Sequence, residues 1–213
     1  MKLKNLQKTA ISASLVSFAI FLDIFWTLFF SFNIFGSGTM FKISVFPIIL
    51  IGFIFGFKYS LGSCILFNLY HLQKASFFTL KIWSDLFNIN STNSILIYIL
   101  DYILPDLSYS ISGLFYLNDF QNNNHFKKIC LSVFLIFSLK AIFHTLSGYF
   151  IWVHIFANDD ELIIKLPNFL QQLFNKGHYY IFSIIYNFIP NILTGLLNGT
   201  ILCFLSKSKL KLF

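Results

Sequence analysis

Six apolar segments separated by short polar breaks leave this chain few ways to fold. A helix needs about 20 mostly apolar residues to span a bilayer. The segments cover residues 9–32, 43–57, 61–80, 94–117, 129–156 and 179–205. The second is short and is expected to tilt, or to follow a partly buried loop. Breaks fall at 36–38, 88–93, 118–124 and 158–177. The expected fold is an all-α integral membrane protein. It is a single domain, residues 1–213, of six transmembrane helices, with no internal repeat and no soluble domain.

Composition agrees. Hydrophobic residues make up 57% of the chain and charged ones 11%, far from soluble usage. The net charge of +7 comes from lysines scattered over the breaks, with no Arg and no basic stripe. That pattern argues against nucleic-acid binding and suits anionic lipid headgroups. Cys64, Cys130 and Cys203 fall in or beside apolar runs, and their spacing suggests neither disulfides nor zinc. They are expected to be buried, inert thiols. The basic start, residues 1–8, precedes an apolar run too long for a signal peptide and without a clear cleavage site, so it reads as a retained first helix.

Lysines set the orientation. With a cytoplasmic N-terminus, Lys2, Lys4, Lys8, Lys58, Lys127, Lys128, Lys207, Lys209 and Lys211 lie inside, against Lys42, Lys74, Lys81, Lys165 and Lys176 outside. Both termini are therefore expected in the cytoplasm, and the protein in the cell membrane. Depth then follows from a rise of about 1.5 Å per residue. His144 lies roughly 24 Å beyond Lys128, and Trp152 about 12 Å further out. Asp101 and Asn187 lie roughly 10 and 12 Å below the outer ends of their segments. Three polar clusters on three helices thus share the outer half of the membrane and could line one cavity open to the outside.

His144, Gly148 and Trp152 sit four apart, so one helix face is expected to carry all three. An ionisable side chain inside a bilayer is costly, and is either paired or functional. Asp101 could be a structural acid paired with Lys140 or His144, or a carboxylate that meets a cationic or amine-bearing ligand. Trp152 could belong to an interfacial aromatic belt or offer a stacking surface. Gly148 could leave room for a ligand or simply permit close helix packing. Tyr186-Asn187 forms the third cluster. Catalytic and metal readings are poor: there is no HExxH, no nucleophile elbow and no phosphate-binding Gly-Lys-Ser/Thr loop. The chain is expected not to be an enzyme, to carry no cofactor and not to bind ATP itself. On the first segment, Ala10 with Ser14 and Ala13 with Ser17 form a small-residue face that favours close helix contact, with a partner or within the bundle.

Four stretches carry a family resemblance: Gly36-Ser37-Gly38 with Ile43-Ser44-Val45-Phe46-Pro47-Ile48; Ile99-Leu100-Asp101-Tyr102; Lys140 to Trp152 with its His-x-x-x-Gly-x-x-x-Trp pattern; and Tyr186-Asn187. In order and spacing the chain resembles the ThiT family, thiamine-specific S components of energy-coupling factor transporters, over residues 36–191. The resemblance implies a six-helix protein that captures thiamine from outside. It would dock on a transmembrane T component and two ATPase subunits, whose ATP hydrolysis topples it for release inside. By motif match it implies ligand binding by Asp101, Tyr102, His144, Gly148, Trp152, Tyr186 and Asn187. It implies T-component contact by Ala10, Ala13, Ser14 and Ser17. Thiamine joins a flat aminopyrimidine to a permanently cationic thiazolium, which suits an aromatic pocket with one carboxylate. The chain departs from the family in its first outer loop, where some members carry Trp and Glu and residues 33–42 offer Phe35 and Phe41 with no acid. Lys140 stands where many relatives have Arg. The aromatic expected ahead of Tyr186 is Phe182 or Tyr180. Competing readings are an S component for another vitamin or a thiamine precursor, an intramembrane enzyme using His144 and Asp101, and a structural membrane protein.

Overall fold

The computed structural model describes residues 4–29, 42–74, 95–117, 120, 125–158 and 160–207. All regular structure among them is helical. Helix α1 spans Asn5–Phe29. A 3-10 turn, Ile43–Val45, leads into α2, Phe46–Phe55, and α3 follows over Phe57–Lys74. Helices α4, Ile95–Phe115, and α5, Phe126–Ala157, are long and locally irregular. Two short helices, α6 (Asp160–Ile164) and α7 (Asn168–Asn175), precede α8, Tyr179–Lys207.

Four of these helices, α1, α4, α5 and α8, are long and apolar enough to cross a membrane. Helix α2 with its entry turn is apolar but shorter, and α3 carries Asn68, His71 and Lys74 in its last two turns. Length and composition therefore support four spans where six were expected. The break at 158–177 is not plain loop: α7 sits within it and packs Leu170 and Phe174 against Phe156 and Phe182. The Gly36-Ser37-Gly38 loop with Phe35 and Phe41, residues 75–80 of the third expected span, the break at 88–93, and Lys2, Lys81, Lys209 and Lys211 lie outside the described residues.

Around a hydrophobic core, the side chains depart from a soluble domain in two ways. Phe21 and Leu28 of α1, Phe134 and Phe150 of α5, and Leu196 and Phe204 of α8 face outward, while Asp23, Asn68, His71, Asp106, Lys140 and Asn198 are buried. In water both sets would be misplaced. Cys64 is buried as expected, but Cys130 is exposed on α5 and Cys203 is half-buried, because the outer faces of α5 and α8 are apolar too.

Helix α2 is the centre. Pro47 fits its first turn, where no N–H is needed, and residues 48–53 are buried. It ends at Gly56, whose φ of +85° is costly for any residue with a side chain. The end of α4 crosses this corner so closely that a Cβ on Gly113 would lie 2.4 Å from Phe57 Cα. Leu117 N–H donates to Phe53 O at 2.9 Å and closes the contact. Helices α5 and α8 pack through small residues: Gly195 lies against the Phe137 ring, and Gly199 against Val133. Asn198 Nδ2 donates to Lys42 O at 2.8 Å, which ties α8 to the chain entering α2.

Candidate ligand-binding site

Asp101 lies in a π-helical turn of α4, Tyr98–Ile103. Pro105 explains the widening. It has no N–H for the carbonyl of Asp101, four residues back, and its ring would collide with that carbonyl in a regular helix. Helix α5 carries a second π-helical turn, Gly148–Trp152. Single wide turns of this kind often occur at functional sites. Here both carry residues singled out by sequence.

The two helices meet at the Asp101 carboxylate. His144 Nδ1 lies 3.1 Å from Oδ1, and Trp152 Nε1–H donates to Oδ2 at 2.8 Å. In a regular helix, residues eight apart would be turned by about 80° from each other. The wide turn advances less per residue and returns Trp152 to the His144 side. Of the two pairings open to a structural Asp101, the structure has His144. Lys140, one turn earlier on α5, is committed elsewhere: its Nζ donates a short hydrogen bond to Tyr109 OH and lies 5.0 Å from that ring's centroid. The carboxylate and imidazole are largely shielded, with side chains 13% and 20% exposed.

Gly148 does not share the face of His144 and Trp152, contrary to the four-residue spacing. A Cβ there would lie 2.6 Å from Asn187 Nδ2 and 3.2 Å from Ser183 Oγ, so Gly148 faces α8. Its role in the structure is the close-packing one: it admits the Asn187 amide. Asn187 Nδ2 itself donates back to Ser183 O at 3.0 Å.

Trp152 joins two aromatic clusters. On one side, Tyr102 packs with Ile97, Ile151 and Ile155, and its ring lies 6.2 Å from that of Tyr98. On the other, Tyr186 stacks on Phe182 at 5.6 Å and meets Phe156 edge-on at 5.9 Å. Of the two aromatics expected ahead of Tyr186, Phe182 points into this cluster, while Tyr180 is exposed beside Tyr149. The seven candidate residues therefore form one connected patch across α4, α5 and α8, with Asp101, His144 and Trp152 in direct contact. On α1, Ala10, Ala13, Ser14 and Ser17 are all exposed, so the face is not used within the bundle. The hydroxyls of Ser14 and Ser17 donate to Ala10 O and Ala13 O, both at 3.0 Å, and need no further partner.

Sequence reasoning missed a second polar centre, on α1, α3 and α4. Asp23, His71 and Asp106 are buried, with the buried Asn68 and Ser44 and the half-buried Tyr70 around them. The signal was present, since each is an ionisable group in or beside an apolar segment. Asp106 follows Asp101 on the same helix, and spacing alone did not show that it turns toward α3.

No protein-family model matches the chain, and no curated protein matches it. Among the described residues no group of three or more His, Cys, Asp or Glu is placed to hold a metal ion.

Proposed function

We propose that the protein is the substrate-binding S component of an energy-coupling factor transporter, and that it captures thiamine from the extracytoplasmic side. In this reading the chain crosses the cell membrane six times, with α2 and α3 completing the four longer spans and both termini in the cytoplasm. A T component and two ATPase subunits supply the docking site and the ATP hydrolysis. The chain itself performs no catalysis and holds no cofactor.

The observation that carries the proposal is the state of Asp101. Its two partners are an indole and an imidazole, and Lys140 is turned to Tyr109 instead. With His144 neutral, both donors are uncharged and the carboxylate keeps its full negative charge in a largely buried setting. A buried charge calls for a counter-ion. A flat cation bordered by Trp152, Tyr102 and Tyr186 supplies one, and the aromatic faces favour it further. The ThiT resemblance names thiamine as that cation; another vitamin or a thiamine precursor of like charge is the alternative.

Titration of the purified protein with thiamine, followed by tryptophan fluorescence and calorimetry, tests this. Saturable binding that weakens in Asp101→Asn and loses its fluorescence signal in Trp152→Phe is expected. Well-folded wild-type protein that binds neither thiamine nor a related cation would leave Asp101 a structural acid.

A further inference from the structure

The centre formed by Asp23, His71 and Asp106 does not include the Asp101, His144 and Trp152 contacts, and its geometry carries an inference independent of the proposed ligand. His71 is 7% exposed and sits between two carboxylates on different helices. Its Nδ1 lies 2.8 Å from Asp106 Oδ2. Its Nε2 faces Asp23 Oδ1 at 4.0 Å and has no hydrogen-bond partner among the described residues.

Both carboxylates are occupied as acceptors. Asp23 receives Ser44 Oγ at 3.2 Å on Oδ1, and Tyr70 OH at 3.0 Å and Lys74 Nζ at 2.7 Å on Oδ2. Asp106 Oδ2 receives Asn68 Nδ2 at 3.1 Å as well as the ring. This is the donor pattern of two ionised groups. A neutral imidazole has one N–H, and Asp106 takes it. The bare Nε2 lone pair would then be buried and point at a negatively charged oxygen 4.0 Å away. A proton on Nε2 reverses the sign of that contact.

We propose that this centre is a proton-binding site: His71 holds a proton on both ring nitrogens and, as an imidazolium, latches α1 to α3 and α4. Besides the ring, Lys74 of α3, Lys140 of α5 and Lys42 at the entrance to α2 act on the two carboxylates. Tyr70 and Cys64 of α3 and Tyr109 of α4 also face the centre and are neutral. The latch would add to the Ser44, Tyr70 and Lys74 contacts of Asp23 and to a packing stripe of α1 centred on the buried Ser12, Val16 and Ala19.

The test is nitrogen NMR of the full-length protein in lipid nanodiscs at neutral pH, with 15N-labelled histidine. His71 is assigned by its disappearance in His71→Gln. If that variant fails to fold, a protein with Gln at His125, His154 and His178 isolates His71 and His144. Two N–H cross-peaks from the His71 ring are expected, with the Nε2 peak lost in Asp23→Asn. Amide hydrogen exchange over residues 20–29 should rise at least tenfold in His71→Gln. A wild-type ring with a single N–H, or a metal-type shift at Nε2, overturns the proton site. Unchanged exchange in a folded His71→Gln protein overturns the latch.

Discussion

Asp101 meets an indole and an imidazole and no lysine, and the consequences of that arrangement can be read one side chain at a time. His144→Ala removes one donor and leaves the carboxylate less satisfied, which should cost about 1–3 kcal/mol of stability in thermal unfolding. Gly148→Ala is the sharper probe of packing. The added methyl would meet Asn187 Nδ2 at 2.6 Å, so the variant should lose about 1–3 kcal/mol, and Gly148→Ala with Asn187→Ala should recover part of that loss. Losses that simply add would mean the two residues do not press on each other. At this scale the sequence was informative wherever a residue was out of character with its surroundings. Asp101, His144 and Trp152 were legible as unlike groups in apolar runs. Their mutual contacts were not, because helix spacing says nothing about which neighbour a face meets. Asp23, His71 and Asp106 carried the same signal, and it is their pairing across three helices that gives them meaning.

The helices depart from regularity where the site is built. Pro105 widens α4 at Asp101, and the wide turn at Gly148–Trp152 lets His144 and Trp152 reach one carboxylate. Gly148 begins the second wide turn, and the regular helix before it already turns Gly148 by about 40° from His144, toward α8. Replacing Pro105 by Ala restores the missing N–H and should let α4 tighten. Thiamine affinity should then fall with little change in thermal stability; equal affinity would show that the wide turn is dispensable. Elsewhere the backbone leaves no such freedom. Gly113→Ala would set a methyl 2.4 Å from Phe57 Cα, a contact no rotamer can relieve. It should destabilise more than Gly148→Ala, and unfolding of the two variants side by side measures the difference. Where they fall among the described residues, element boundaries were legible to within a few residues from hydropathy, whereas α7 was not. It is short and amphipathic, and only Phe156 and Phe182 give its apolar face a purpose.

For the whole molecule, an apolar exterior around an apolar interior that encloses a few charged groups suits a bilayer, and composition alone pointed to it. The number of crossings was less legible. Helix α2 is short because it is enclosed by its neighbours, and α3 is polar because it carries the Asp106 and Asp23 contacts. By length and composition only the four longer helices qualify as spans. Six crossings place Lys165 outside and Lys58 inside, and both are exposed. In a protein freed of its native cysteines, an impermeant maleimide added to intact cells should label Lys165→Cys and not Lys58→Cys; the reverse pattern would invert the topology. The outward Ala10, Ala13, Ser14 and Ser17 face suits a partner helix. Ala13→Trp should therefore leave thiamine binding by the purified protein unchanged and abolish uptake in cells that carry the partner subunits. Uptake at the wild-type rate would remove that face from the transport cycle.

The most direct measurement is a calorimetric comparison of thiamine with an isosteric analogue whose five-membered ring is uncharged, for the wild-type protein and Asp101→Asn. If the Asp101 carboxylate recognises the ligand's charge, the wild type should prefer thiamine by about tenfold or more, ~1.4 kcal/mol, and Asp101→Asn should bind the two alike. Equal affinities in the wild type, or a preference that survives in Asp101→Asn, would contradict a site built around that charge.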